Sequence, residues 1–336
     1  MVMPVTRKIS KYYLFMHKTF LSCDWGTSSF RLRLIDGGPG KVVAESLSDE
    51  GISRVYDAWK KNGQAEDKRA GFYFSVIYRH IQLIEQKGKI IENGIPVIIS
   101  GMASSNIGMV ELPYTVLPFL VDAGDMTIKK ITGNDFYGFE LQVISGARTN
   151  IDVMRGEETQ LLGCAEASAG RELFIFTGTH SKHVLVESNK AIDLKTYMTG
   201  ELFKLLSEHS VLASSVDASG EETDENENEA AFEQGVENGA THNLLHSIFR
   251  VRTNQLLRRF SAAANYHYLS GLLIGAELAD VKRMQMEKLV LVGEERLMAN
   301  YLKAFTILAG ANSIKAIDAG IATIQGHIKI YKRLYG

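Results

Sequence analysis

Two strand-to-turn segments constrain this chain most. They are Phe20-Leu21-Ser22-Cys23-Asp24-Trp25-Gly26-Thr27-Ser28-Ser29 and Phe174-Ile175-Phe176-Thr177-Gly178-Thr179-His180-Ser181-Lys182, about half the chain apart. Each is an apolar run that breaks into glycine and hydroxyl residues. Glycine lets the backbone approach a bound anion, the N–H groups of the turn face it, and Thr or Ser hydroxyls add donors without bulk. Two such turns, one per half, can clamp a polyphosphate from both sides, the layout of a kinase cleft. Asp24 ends the first strand, where a carboxylate can hold Mg²⁺ directly or through water. Taken alone, Asp24 to Ser28 is equally a structural hairpin turn. The second turn adds Thr177, Gly178, Thr179, Ser181 and Lys182, more donors than a hairpin needs.

At 336 residues there is room for two domains, each with its own core. Hydrophobic residues make up 45% and charged residues 23%, as in an ordinary globular protein. With 37 basic against 39 acidic residues and no basic stripe interleaved with aromatics, nucleic acid is excluded as an expected partner. Cys23 and Cys164 show no metal-ligand spacing, which fits a reducing cytoplasm. The apolar run Tyr12–Met16 is too short for a signal-peptide core, and no stretch reaches the roughly 18 apolar residues of a membrane helix. A soluble protein with a flexible leader over 1–17 is expected.

An antiparallel meander opens the first half: strands at Thr19–Cys23, Arg31–Asp36 and Lys41–Glu45. A helix over Ala70–Gln86 and a buried strand at Pro96–Ser100 follow. The second half repeats the order strand, Gly/Thr turn, strand, after a helix over Glu158–Ser168. It continues with a helix over Tyr266–Met284, a strand at Lys288–Gly293 and a terminal helix over Ile317–Tyr335. Residues 217–229, Asp-Ala-Ser-Gly-Glu-Glu-Thr-Asp-Glu-Asn-Glu-Asn-Glu, are expected to form a solvated loop.

Met154-Arg155-Gly156-Glu157-Glu158-Thr159 opens a helix with paired carboxylates. Acids suit the positive end of a helix dipole, and a Glu there can also serve as general base for a substrate hydroxyl. Neighbouring helical residues point about 100° apart, so only one of Glu157 and Glu158 can face a substrate. Arg155 can bind an anionic substrate in a bidentate fork or form an ion pair with Glu158 or another acid. Gly101-Met102-Ala103-Ser104-Ser105-Asn106 follows a buried strand and reads as a tight turn or a set of small polar donors. His180 can donate to phosphate or cap its turn. Met198 to Leu202 reads as a substrate loop or as a helix start capped by Thr199.

Several blocks together resemble the 2-dehydro-3-deoxygalactonokinase family, sugar-acid kinases of the actin-like, hexokinase-like ATPase superfamily. They are Asp24-Trp25-Gly26; Gly101-Met102 with Ser105-Asn106-Ile107-Gly108; Val153 to Gly163; Gly178-Thr179-His180 with Lys182; Met198 to Leu202; and Leu269 to Glu277. The resemblance implies an α/β chain of two actin-like (ribonuclease H-like) lobes, 18–152 and 153–336, with a nucleotide cleft between them. It implies ATP and Mg²⁺ as cofactors and phosphorylation of 2-dehydro-3-deoxy-D-galactonate at its terminal hydroxyl, in galactonate catabolism.

On that analogy Asp24 positions Mg²⁺ and, with Gly26, Thr27 and Ser28, forms the first phosphate loop. Thr177, Gly178, Thr179, Ser181 and Lys182 form the second, and Gly293 lies at the adenosine loop. The similarity of Gly156-Glu157 to the Gly-Asp segment of glycerol and pentulose kinases places the catalytic base on Glu157. Ser104, Ser105, Asn106 and Arg155 are the expected sugar-acid contacts. The segment Val292-Gly293-Glu294-Glu295-Arg296 departs from the superfamily, where paired glycines or small residues are usual. The expected partners are a small sugar acid and ATP, with a homodimer as the open case for assembly. A kinase of the same fold with another substrate, or a nucleotide-binding sensor without catalysis, are the competing readings.

Overall fold

The computed structural model describes residues 19–92, 94–217, 224–281, 286–310 and 314–336; the leader expected over 1–17 lies outside them. The described chain divides into two compact units. Unit 1 runs to Leu112 and adds Thr127–Ser145 and His327–Gly336; unit 2 holds Pro113–Met126 and Gly146–Gly326.

Unit 1 starts with the expected meander, β1 (Thr19–Trp25), β2 (Phe30–Asp36) and β3 (Lys41–Ser48). Helices α1 (Ile52–Asn62) and α2 (Arg69–Gln86) precede β4 (Pro96–Gly101). The short strands β5 (Thr115–Val116) and β6 (Phe119–Leu120) belong to unit 2, and the chain returns with β7 (Ile128–Ile131) and β8 (Glu140–Ile144). The sheet order is β3-β2-β1-β4-β8-β7. Because β4 is paired in parallel on both sides, all its residues are buried, which explains its unbroken apolar run. The core behind it packs Trp25, Phe30, Tyr73, Phe74 and Ile77.

Unit 2 continues with β9 (Ala147–Arg148), β10 (Val153–Met154) and α3 (Glu157–Cys164). Then come β11 (Arg171–Phe176), β12 (Ser181–Glu187), β13 (Lys190–Tyr197) and α4 (Thr199–His209). Helices α5 (Glu225–Thr241), α6 (Leu244–Ile248), α7 (Arg250–Leu256) and α8 (Ala262–Leu278) follow, then β14 (Lys288–Gly293), α9 (Glu295–Ala309), β15 (Ile314–Asp318) and α10 (Ala319–Tyr335), which passes into unit 1 at His327. The sheet order is β15-β14-β11-β12-β13-β6.

In each unit three consecutive strands, β1-β2-β3 or β11-β12-β13, form an antiparallel meander; the next strand, β4 or β14, pairs in parallel with the first of them, and β8 or β15 pairs in parallel on its other side. The repeated grammar of the sequence is thus a repeated ribonuclease H-like sheet, the unit from which actin-like ATPases are built.

Three expectations are corrected. The single cut at 152/153 fails because β5 pairs with β9 and β6 with β13, which draws 113–126 and 146–152 into unit 2. At the other end, Tyr331 stacks on Phe20 and His327 bonds Ser22, both in unit 1. The acidic stretch is helical from Glu225: Asp224 caps α5 by accepting from the N–H groups of Asn226 and Glu227, and acids in a first turn suit the helix dipole. Its residues 218–223 lie outside the described ones. The terminal helix begins at Ala319 because Ile317 is held in β15 opposite Val292.

Among the described residues no helix is long and apolar enough to cross a membrane.

Candidate active site

Strand β1 delivers Asp24 to the end of the unit 1 sheet. Register sets it opposite Arg31 on β2 and beside Ser100 on β4. Arg31 Nη1 lies 3.1 Å from Asp24 Oδ2, and both side chains are half-buried. Ser100 Oγ is buried and has no hydrogen-bond partner among the described residues. Beyond Trp25, whose indole N–H donates to the Glu50 carbonyl, the turn Gly26–Ser29 closes with Gly26 N–H on the Ser29 carbonyl and leaves Thr27 and Ser28 exposed. The start of α1 braces it: Ile52 and Ser53 N–H donate to the Gly26 and Thr27 carbonyls. At Gly51 a Cβ would stand 2.3 Å from the Thr27 carbonyl oxygen.

The second turn is built the same way. Glu201 N–H, in the first turn of α4, donates to the Thr179 carbonyl, and at Gly200 a Cβ would lie 2.6 Å from the Gly178 carbonyl oxygen. This resolves the Met198–Leu202 block: it is a helix start that carries the turn. Met198 occupies the N-cap position and makes no side-chain cap bond, so Thr199 does not cap the helix. The His180 imidazole is bonded to Glu201. Gly178 itself has open space where a Cβ would stand, so crowding does not account for it.

Ser181 of the expected phosphate loop and Gly293 of the expected adenosine loop both have partners inside unit 2. Ser181 is fully buried and donates its hydroxyl to Glu277 Oε1 at 2.7 Å, so its side chain is spent inside unit 2. Gly293, at the end of β14, makes room for Thr177, whose Oγ1 would lie 1.9 Å from a Cβ there. Gly101, at the end of β4, is its counterpart: at φ 82° it lets the strand pass the Trp25 carbonyl oxygen, 2.6 Å from a would-be Cβ. These glycines let β4 lie tight against β1 and β14 against β11.

Of the expected sugar-acid contacts, Ser104 and Ser105 are buried, with hydroxyls on the Gly101 and Met102 carbonyls at 3.4 and 2.7 Å. They brace a tight turn. Asn106 is exposed, and its carbonyl accepts from Arg69, while Ile107 accepts from the Tyr73 hydroxyl at 2.6 Å. The Arg155 guanidinium lies 4.3 Å from the centre of the Tyr114 ring.

Gly156, at φ 110°, turns the chain into α3, whose first two residues are the glutamates. Glu158 is fully buried, accepting from Gly156 N–H at 2.7 Å and from the Thr159 hydroxyl at 3.0 Å. Glu157 is half-buried, accepts from Arg155 N–H at 2.9 Å, and has Lys182 Nζ 4.0 Å from its other oxygen. Burial raises the Glu157 carboxyl above its ordinary value, against the pull of Lys182 and the backbone N–H groups. Lys182 is lowered by its own burial, with Glu157 and Asp152 opposing. The exposed-side acid of the pair is therefore Glu157, with a cation beside it.

Glu158 is pushed up to about 8, first by burial and then by the charge of Glu157. Since its folded value lies above the ordinary 4.5, the stabilisation from its neutral form is complete below that value and is lost as pH rises toward about 8. Each pH unit in that window costs up to about 1.4 kcal/mol. Glu158→Gln, which cannot ionise, is expected to flatten this slope in thermal melts between mildly acidic and mildly alkaline buffer. Equal slopes for the two proteins would contradict the assignment.

Sequence reasoning did not find Arg31, Ser100, Gly51 or Glu277. The hairpin count that pairs Asp24 with Arg31 was available; the Glu277 contact joins residues 96 apart and had no local signal.

Magnesium takes hard oxygen donors and is usually held by one or two carboxylates together with phosphate oxygens. Asp24 and the orphaned hydroxyl of Ser100 suit that donor set. Among the described residues no group of three or more His, Cys, Asp and Glu is gathered.

A family model described as 2-keto-3-deoxy-galactonokinase matches residues 24–330. A protein of Rhizobium meliloti (strain 1021) named probable 2-dehydro-3-deoxygalactonokinase is 33% identical over 318 residues, covering 91% of this chain and 94% of its own. The 2-dehydro-3-deoxygalactonokinase of Escherichia coli (strain K12) is 30% identical over 323 residues, 92% of this chain and 98% of its own. A crystal structure from Sinorhizobium meliloti, assigned as a 2-dehydro-3-deoxygalactonokinase protein, superposes with TM-score 0.75 at 31% identity, covering 94% of this chain and 98% of that one.

Proposed function

The chain belongs to the 2-keto-3-deoxy-galactonokinase family, and on that premise we propose that it transfers the γ-phosphoryl group of ATP to the terminal hydroxyl of 2-dehydro-3-deoxy-D-galactonate. The observation that carries the reading is Glu157: a half-buried acid at the start of α3, raised toward the pH range where a base works best, with Lys182 at 4.0 Å.

Glu157 accepts the proton of the attacking hydroxyl, and Lys182 offsets the charge of the carboxylate before that transfer. In unit 1 the turn Gly26–Ser28 offers N–H groups and hydroxyls to phosphate; in unit 2 Thr177, Gly178, Thr179 and Lys182 do so. Asp24, with Ser100 beside it, would hold Mg²⁺. The ion, when bound, neutralises charge on the β- and γ-phosphate oxygens. Positioning and fixed charge supply most of the rate. Asp24→Asn is expected to raise the Mg²⁺ and ATP concentrations needed for half-maximal rate by about tenfold or more while leaving binding of the sugar acid unchanged. Equal losses in both would contradict a metal role.

The Arg155 guanidinium lies on the Tyr114 ring, and a planar guanidinium is the cation whose shape and charge suit a carboxylate. Arg155→Met is therefore expected to raise KM for the acid by about tenfold or more with KM for ATP little changed. Steady-state kinetics with each substrate varied in turn checks this, and an ATP effect as large as the acid effect would remove Arg155 from the substrate site.

A further inference from the structure

Glu277, near the C-terminal end of α8, is 3% exposed and collects four side-chain donors. The Ser181 hydroxyl and His183 Nε2–H reach Oε1 at 2.7 and 2.8 Å; the Tyr301 hydroxyl reaches Oε2 at 2.7 Å, and the Thr199 hydroxyl bonds the same oxygen. A buried carboxylate is tolerated only when its lone pairs are met in this way. Burial opposes its charge, but the bonds from His183, Thr199 and Ser181 prevail and hold Glu277 below the ordinary carboxylate value.

The donors come from the elements that frame one turn. Ser181 and His183 lie on β12, which starts where the turn 177–180 ends. Thr199 opens α4, whose next two residues support that turn from below: Gly200 under the Gly178 carbonyl, Glu201 N–H on the Thr179 carbonyl. Tyr301 comes from α9, which follows the strand end at Gly293, itself packed on Thr177. The carboxylate thus ties the exit, the floor and the flank of the turn to a single point.

We infer that Glu277 is a positioning residue for nucleotide phosphates: it touches no reactant but fixes the geometry of the Thr177–Lys182 turn. This rests on the reading that the turn holds ATP. A displacement of about 1 Å in such a support costs on the order of 10²-fold in rate.

Thr199→Val removes one donor at a half-buried position and so avoids the folding risk of changing Glu277 itself. It is expected to raise KM for ATP by about tenfold with KM for the acid within about twofold, and to speed amide exchange at 178–182 without speeding it in β1 to β4. Thr199→Ser restores the hydroxyl and both readouts. Tyr301→Phe should move them in the same direction. Lys182→Met reports on the underlying reading, which predicts a higher KM for ATP. An unchanged KM there overturns that reading. A raised KM in Lys182→Met, combined with unmoved KM and exchange in Thr199→Val, overturns the inference alone. Parallel rises in both KM values with faster exchange throughout the chain would also overturn it, because they mark a merely structural role.

Discussion

Glu157→Gln is expected to lower kcat by about 10²-fold or more while ATP and the sugar acid still bind, because the amide keeps the shape and loses the basic oxygen. The neighbouring bonds allow this isolation of effect. Glu157 accepts the Arg155 backbone N–H, which the Gln carbonyl oxygen can still receive. In the wild type the base must be ionised, so kcat should fall as pH drops through its raised pKa, and the residual rate of the Gln variant should lack that limb. Single-turnover measurements beside equilibrium binding separate the two quantities. If Glu158→Gln is the crippled variant and Glu157→Gln stays active, the base has been assigned one residue too early. The structure speaks against that register: Glu158 is fully buried and already bonded to Gly156 and Thr159.

The largest expected loss of stability lies between α5 and α8. Gly235 and Gly239 on one helix meet Gly271 and Gly275 on the other, and a Cβ at any of the four would stand between 2.0 and 2.3 Å from a backbone carbonyl oxygen of the opposite helix. Backbone cannot yield as a side chain tip can, so the helices must separate along their whole contact. Gly275→Val is therefore expected to cost about 3 kcal/mol or more, at the upper end of overpacking penalties, and to shift the chemical denaturation midpoint accordingly. Gly178→Ala, placed in open space, is expected to leave stability nearly unchanged. Comparable losses for the two would refute the packing account.

Local signals in the sequence were read correctly where one stretch of chain decides its own structure. Apolar runs ending in glycine gave β1, β4, β11 and β14, and the order of strands and turns in each half disclosed the repeated sheet. The α3 start was legible because glycine followed by two acids suits a helix N-terminus. Residues 224–229 were misjudged because charge outweighed the apolar spacing that follows, Ala231, Phe232 and Val236, which is the buried seam of α5. Helix α1 carries a comparable buried seam in Ile52, Val55 and Trp59.

What the sequence did not disclose depends on partners distant along the chain. Ser181 looks like one more hydroxyl in a phosphate turn until Glu277 is seen to claim it. Gly51 and Gly200 look like ordinary loop glycines, although each clears the path of a turn in another part of its unit. Ser104 and Ser105 carry donors, but local carbonyls receive them, which leaves Asn106 as the exposed member of that turn.

The central claim is phosphoryl transfer to a keto-deoxy sugar acid, and it is tested most directly by ADP release from Mg-ATP across a panel of acceptors. The panel contains 2-dehydro-3-deoxy-D-galactonate, other 2-keto-3-deoxy acids, a neutral hexose and glycerol. Turnover that depends on the acceptor, is fastest with the galactonate derivative and is slow with the neutral compounds is the predicted result. Nucleotide binding without acceptor-dependent ADP release would contradict catalysis, and equal rates with glycerol or a neutral hexose would contradict the sugar-acid assignment.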